Sequence, residues 1–494
     1  MWPARRPSQH PRAVDDASAA LAVQLRAISW IALVAMIPLV FYFTTEGTWR
    51  LTKQRNDGGW SGGFYMAQAE SLLVHGRLDV HPDDLLSECL RRGSRCYGYF
   101  GLTPSLVRVP FLGILRYFHS AMTPLFLGVA VLLAYWAALR LLARALVGVA
   151  DASMPRAPVL GYAILGALLL GPGGSLMFLT RPAVYEEAIG WGIACFLFAL
   201  NWIWAWHARE VRSLVPAILL GIAAANARPT LAVACGVLGL VVFALSYPHP
   251  ARSVRNAALC ISLLPGLTAA GVLYLKVRSP LPDHHISEQM TKAPHWRIIL
   301  NRNGDKTAGL MFAPTELFAY FRPDALTRTR EWPFFDFRRW QEMTVWLPPL
   351  PEGGAYVERY SSLTATMPLS WIVNVLVVIW LAAIAPRSLA AGRDGAAPIR
   401  APSLTREQWI LAAGSVASAA SMVLFTVTTV GITNRYLADF YPLSAVGFAL
   451  GAYAIMPFCR TRPFAFLAAL VAGALLTGWS VAVTLALTWR LLFE

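Results

Sequence analysis

Charge is scarce in this chain. Only 14% of its 494 residues are Asp, Glu, Lys or Arg, where a soluble domain carries roughly 25%. Apolar length stands in its place. Hydrophobic residues make up 56% of the sequence, mean hydropathy is +0.51, and apolar runs of about 20 residues recur. This excludes a soluble globular protein. It predicts an integral membrane protein built of helices, because an isolated span must satisfy its own backbone hydrogen bonds in lipid. The short alternating segments of a β-barrel are missing. Zinc-finger spacing, a helix-turn-helix pattern and a Walker loop are missing too. The net charge of +15 therefore points to no nucleic acid. Many arginines sit in short loops between apolar runs, as membrane orientation and anionic lipid require. Several of the 18 tryptophans fall near span ends, where an aromatic belt lies.

Cysteine is also sparse. Of the six, Cys195, Cys235 and Cys260 lie in apolar runs and read as small buried hydrophobes. Cys459 lies near a cytoplasmic end. Cys89 and Cys96 share one polar loop and can form a short bridge if that loop faces an oxidising compartment. Two unrelated thiols are the plainer alternative. The sequence shows no internal repeat and no low-complexity tail.

Eleven spans are expected, near residues 27–45, 121–142, 157–178, 186–206, 212–228, 230–247, 257–275, 367–386, 408–430, 441–458 and 464–489. The segment through Arg26 is polar and carries Arg5, Arg6 and Arg12. The run that follows, Ala27 to Thr45, has no small-residue cleavage site and reads as an uncleaved anchor. The pair around Arg228-Pro229 is ambiguous, since Pro229 can begin a helix or kink a longer one. One kinked helix there would invert every later side assignment. The basic segments at the N-terminus, 140–156, 207–212, 252–255, 387–406 and 459–462 all fall on one side, which marks the cytoplasm. The organisation expected is a cytoplasmic tail (1–26), an N-terminal transmembrane module (27–275) with a first outer loop (46–120), a large extracytoplasmic loop (276–366) and a C-terminal transmembrane module (367–494).

In the first outer loop, Gly63 to Leu73 reads as a helix with one apolar face, ended by Gly76. Pro104 to Tyr117 reads as a second helix lying in the interface. The 276–366 loop has charges, Pro and Trp without a domain-sized core, and reads as a lid. Residues 391–404 read as a flexible linker.

Four clusters lie at the same expected end of the spans: Lys53, Arg55 and Asp57; Arg181 with Tyr185, Glu186 and Glu187; Asn226, Arg228 and Thr230; and Asn434, Arg435, Tyr436 and Asp439. Ionisable groups at span ends often only anchor them by snorkelling. Four clusters on one face instead suggest a pocket. Arginines there can grip phosphate bidentately, and a neighbouring carboxylate can take a proton from an acceptor hydroxyl. Asp57 fits that role, with Glu186 and Glu187 as alternatives. Both glutamates also suit an ordinary helix N-terminus. Arg435 and Asp439, four apart, are spaced for an ion pair on one helical turn. Asp283, His284, His285 and Glu288 show no strong metal-ligand spacing. Asp79, Asp83 and Asp84 leave a divalent cation possible, with no cofactor required.

The order of these motifs resembles the GT-C superfamily of integral membrane glycosyltransferases. The likeness rests on Asp57 in the first outer loop, then Tyr65, Ala69, Leu72 and Gly76; on Tyr99-Phe-Gly-Leu-Thr-Pro104 with Leu106 and Pro110; on Ala225-Asn-Ala-Arg-Pro229; and on Arg435-Tyr436 with Pro442. It extends from about residue 27 to 460. The resemblance implies an all-α bundle of about 11 transmembrane helices with interfacial helices in the first outer loop. It implies sugar transfer from a polyprenyl-phosphate donor to a glycan or glycolipid acceptor, on the extracytoplasmic face of a bacterial inner membrane. Asp57 would be the general base, with inversion at the sugar carbon. Lys53, Arg55, Arg181, Arg228, Arg435, Tyr436 and Asp439 would bind substrate. Tyr65 and Tyr185 would line a lipid or sugar pocket, though core aromatics are the simpler reading. The chain departs from some members in carrying one acid at position 57 where many show a pair, and in having no sizeable soluble domain after the last span. A lipid-linked oligosaccharide transporter and a diphosphate-linked glycan ligase are the alternative functions.

Overall fold

The computed structural model describes residues 11–49, 63–81, 90–92, 95–98, 101–115, 122–149, 154–179, 184–246, 251–278, 297, 301, 308–338, 356–357, 360–390, 404–428, 431–432 and 434–493. The first helix, α1 (Pro11–Thr44), begins well before Ala27. Its apolar span is Ala19–Thr44. In the first loop, α2 (Phe64–His75) ends at Gly76, whose φ of 61° is the left-handed cap that glycine adopts without a Cβ penalty. The antiparallel pair β1 (Leu90–Arg92) and β2 (Arg95–Tyr97) follows. The expected second interfacial helix is broken. It forms as α3 (Thr103–Arg108), a 3-10 turn (Val109–Phe111) and α4 (Leu112–Leu115). Pro110 lies in that turn and has no N–H to continue an α-helix.

The bundle continues with α5 (Met122–Val149), α6 (Arg156–Leu170), a 3-10 turn (Ser175–Leu179) and α7 (Val184–His207). Then come α8 (Val215–Ala227), α9 (Leu231–Ser246) and α10 (Arg252–Val277). The large loop contributes α11 (Ala313–Phe321), the antiparallel pair β3 (Leu326–Arg328) and β4 (Phe335–Phe337), β5 (Tyr356–Val357) and α12 (Leu363–Thr366). The last part is α13 (Pro368–Ala390), α14 (Arg406–Thr426), β6 (Gly431–Ile432), a 3-10 turn (Asn434–Phe440), α15 (Tyr441–Ile455), α16 (Phe458–Thr461) and α17 (Pro463–Phe493). A reciprocal box between Thr405 and Gln408 sets the start of α14. β6 pairs in parallel with β5 and so ties the large loop to the α14–α15 connection.

The protein is an all-α, multi-pass membrane protein. Among the described residues, nine helices are long and apolar enough to cross a bilayer. α8 and α9 are shorter, at 13 and 16 residues. They stand where the fifth and sixth spans were expected. The Cys235 thiol lies 3.8 Å from the Gly221 carbonyl oxygen. Residues so far apart in one continuous helix would be separated by about 21 Å. The two arms therefore fold back on each other as a hairpin with Arg228-Pro229-Thr230 at its apex. That removes the one-kinked-helix alternative.

Four helices form the centre. In α5, α6, α7 and α15, 67–78% of the span is buried, against 28% in α1, α10, α13 and α17, which form the lipid-facing periphery. α9 and α10 run antiparallel at close range: a Cβ on Gly239 would lie 1.9 Å from Ser262 Oγ. Small residues at such crossings let backbones approach, which is what holds helices together in lipid. Described parts of the first loop, the end of α10 and the α14–α15 connection meet at one end of the bundle, where Thr103 bonds Ala223, Lys276 bonds Gly98 and Arg228 bonds Asp439. Contacts there place α3 on α7 and α8, and the Asn434–Phe440 turn on α7, α14 and α15.

Candidate functional site

Two polar clusters form at this loop end. The first joins the first loop to the start of α7. Arg108, at the end of α3, is fully buried and grips both carboxylate oxygens of Glu187, with Nη2 at 2.7 Å from Oε2. Its Nη1 also donates to the Pro104 carbonyl at 3.0 Å. Its guanidinium lies 4.5 Å from the Phe126 ring centre and 5.4 Å from that of Tyr65. Nearby, Ser105 Oγ donates to Gln68 Oε1 at 2.7 Å. Glu186 is buried in the same turn of α7. Burial, helped by the negative charge of Glu187 and Glu186 and opposed by Arg108, holds the Tyr65 hydroxyl well above its ordinary pKa. Tyr185 packs half-buried against Phe64, Tyr65 and Cys96.

The second cluster sits at the hairpin apex. Arg228 leaves α8 in extended conformation. Its Nη2 donates to Asp439 Oδ2 and its Nε donates to Thr230 Oγ1 at 3.2 Å. The guanidinium lies 5.6 Å from the Tyr436 ring centre, a cation–π distance. Thr426 Oγ1, at the end of α14, donates to the same Asp439 oxygen at 2.5 Å. Among the described residues, Asp439 is therefore bound by Arg228 and Thr426, from two other elements. A 3-10 turn has three residues per turn, so positions four apart do not share its face.

The clusters share a wall. A Cβ on Gly192 of α7 would come within 3.2 Å of Arg228 Cβ. The first loop also presses on the α8 end. Thr103 Oγ1 donates to the Ala223 carbonyl at 2.7 Å, and a Cβ on Gly101 would overlap the Asn226 carbonyl oxygen at 1.7 Å. Lys276, fully buried near the end of α10, donates to the Gly98 carbonyl at 3.1 Å.

Of the expected site residues, Tyr65, Tyr185, Glu186 and Glu187 come together in one cluster, and Arg228, Tyr436 and Asp439 in the other. Lys53, Arg55, Asp57, Arg181 and Cys89 lie outside the described residues, as does the side chain of Arg435. Cys96 is buried and disulfide-bonded, whereas Cys195, Cys235, Cys260 and Cys459 are free. Among the described residues, no group of three or more His, Cys, Asp or Glu could hold a metal. Asp83, Asp84 and the 283–288 segment are outside that set.

Sequence reasoning missed three groups. Arg108 was read only as a break in an interfacial pattern, and its partner lies on a distant helix. Lys276 fell at the start of the expected large loop and was not singled out. Glu316 on α11 was not singled out. It is fully buried, and neither carboxylate oxygen has a partner among the described residues. Burial pushes its pKa up to about 10. Its place in the first turn of a short apolar helix was the one available signal.

No family model matches the chain, and no curated protein matches it. Among solved structures, it is similar to the crystal structure of the Archaeoglobus fulgidus oligosaccharyltransferase in the apo form. The match has 14% identity and a TM-score of 0.46, and covers 94% of this chain and 56% of that one. This chain thus spans little more than half the length of that protein.

Proposed function

We propose that the protein is a membrane glycosyltransferase that takes a sugar from a polyprenyl-phosphate donor at the loop end of the bundle. The observation that carries this reading is the apex cluster. Arg228 is 14% exposed, backed by Tyr436, and roofed by the first loop, which carries Asp57. A guanidinium at the edge of a low-dielectric bundle is suited to an anion that arrives from the lipid side, because its field is weakly screened there.

In this reading the donor phosphate binds Arg228, with Arg181 and Arg435 as further cations and Lys53 and Arg55 near the base. The acceptor hydroxyl, from a glycan or glycolipid, attacks the anomeric carbon. The bond from that carbon to phosphate oxygen breaks, its electron pair leaves with the phosphate, and Asp57 takes the acceptor's proton. Configuration inverts. Glu187 has little freedom to serve as the base, because Arg108 occupies both its oxygens. The loop end would face the extracytoplasmic side of a bacterial inner membrane. The bound state of Cys96 supports an oxidising compartment there, with Cys89 as the proposed partner.

The test is transfer activity of purified protein in lipid nanodiscs. Asp57→Asn should fold, bind donor and lose more than about a hundredfold in kcat. Arg228→Ala should instead raise the donor Kd about tenfold or more. Normal transfer by Asp57→Asn would reject Asp57 as the base. Turnover only with diphosphate-linked glycans would move the protein to the ligase reading.

A further inference from the structure

The two oxygens of Asp439 are used unequally. Oδ2 accepts from Arg228 Nη2 and from Thr426 Oγ1. Oδ1 is buried and has no partner among the described residues. A buried carboxylate oxygen left without a donor is costly, because it has given up water for nothing. Arg228 is unequal in the same way. Nη2 and Nε are engaged by Asp439 and Thr230, while Nη1 has no partner among the described residues. Asp439 itself is fully buried, and Arg228 is the partly open member of the pair. The pair thus holds one unused cationic donor on its partly open member and one unused anionic acceptor on its buried one.

That pairing selects a ligand class. Bare phosphate offers only acceptors and is repelled by Oδ1. A ligand carrying a hydroxyl a few bonds from a phosphate satisfies both, since its phosphate oxygen accepts from Nη1 and its hydroxyl donates to Oδ1. A glycosyl phosphate has this arrangement. A site that hydrogen-bonds a substrate hydroxyl discriminates strongly against analogues lacking it, because the buried acceptor is otherwise stranded.

We propose that Asp439 reads the sugar of the donor, its Oδ1 accepting a hydrogen bond from a sugar hydroxyl while Oδ2 keeps Arg228 in place. This rests on the donor-phosphate reading of Arg228 and adds to it a group that recognises sugar separately from phosphate.

The experiment measures binding of farnesyl phosphate and of farnesyl-phosphoryl-mannose, -glucose and -arabinose to the full chain in nanodiscs by calorimetry. In the unsubstituted protein, at least one glycosyl phosphate should bind about tenfold tighter than farnesyl phosphate. Asp439→Asn keeps an oxygen for Arg228 and Thr426 and places an N–H₂ donor at the Oδ1 position. It should erase that tenfold preference, weakening the glycosyl phosphate while farnesyl phosphate, no longer facing the carboxylate charge, binds as tightly or tighter. Equal loss for both ligands, or an unchanged preference, overturns the proposal, as does the absence of any preference in the unsubstituted protein. Should Asp439→Asn fail to fold, Thr426→Val serves instead. It frees the Asp439 carboxylate to rotate and should lower the preference about threefold, with farnesyl phosphate unchanged. An equal change in both ligands again overturns the proposal. Arg228→Ala tests the underlying reading separately. If it retains farnesyl phosphate affinity, the phosphate assignment fails, whatever Asp439→Asn does.

Discussion

Two arginine–carboxylate pairs stand a few residues of α7 apart, and they are built differently. Arg108 and Glu187 are both fully buried and joined by two donors on two acceptors, with aromatic rings near the guanidinium and the buried Nε of Arg108 left over. Arg228 and Asp439 share one bond, leave one nitrogen and one oxygen unused, and keep the cation partly open. A pair whose carboxylate oxygens are both taken and whose cation is sealed from solvent gives a ligand no access, and it serves as a strut between the first loop and α7. A pair with one group spare on each side has room for chemistry. Pairing itself does not identify a site. Unspent hydrogen-bonding capacity at a reachable edge does.

The largest effect should come from breaking the strut. Arg108→Leu strands Glu187 in the core, and removing one partner of a buried pair costs about 3–5 kcal/mol. Thermal unfolding in detergent should show a large drop in Tm, with the first loop becoming protease-sensitive first. If Arg108→Leu instead unfolds like the unsubstituted protein and loses only activity, the strut assignment is wrong.

Glu316 sharpens the contrast, since it is a buried acid with no described cation at all. Its folded pKa is raised to about 10 by burial. Below about pH 4.5 both folded and unfolded chains hold the proton. Above that, the unfolded chain releases it and the folded chain keeps it. Stability therefore falls as pH rises from that point towards 10. Glu316→Gln has no proton to lose. It should gain stability relative to the unsubstituted protein as pH rises from 5 to 9, by up to about 1.4 kcal/mol per pH unit. Parallel melting curves across that range would contradict the buried, protonated state.

Gly101→Ala attacks the roof over both clusters. Its Cβ would overlap the Asn226 carbonyl oxygen, a backbone atom that cannot swing aside. Overpacking of this kind costs about 1–3 kcal/mol. Hydrogen exchange in α3 should rise, and activity should fall with it. The smallest effect belongs to the open pair. Thr230→Val removes one acceptor at the rim and should cost under about 1 kcal/mol, while changing donor KM more than Tm. A Tm loss as large as that of Arg108→Leu would erase the distinction between strut and site.

Much of this arrangement was legible in the sequence, and the reasons are local. Apolar length located the helices, and Gly76 set the end of α2. The motif around Arg228 and the one around Asp439 were both visible, each beside a span end. Their mutual contact was not, because a pairing across distant helices leaves no periodic trace. The same holds for Arg108 and Glu187. The local rule that spaces Arg435 for Asp439 gave no hint of Arg228 or Thr426, which bond Asp439 from other elements. Glu316 was hard to see because a single acid in a short apolar helix gives little sign of whether it will be covered.

The α8–α9 hairpin has a consequence for the lipid. Its arms, at 13 and 16 residues, rise about 20 and 24 Å, short of the roughly 30 Å hydrocarbon thickness. Asn226 meets α10 at Thr268, and the two turns of α10 from there to Lys276 climb about 12 Å higher. Arg228 therefore lies in a well sunk beneath the rim of its neighbours, with Gly98 and Gly101 packed over it. A prenyl phosphate reaching it would have to descend from headgroup depth, or the leaflet would have to thin to meet it. The protein would then draw its donor down into the bilayer, and long and short prenyl tails should differ in how readily they follow.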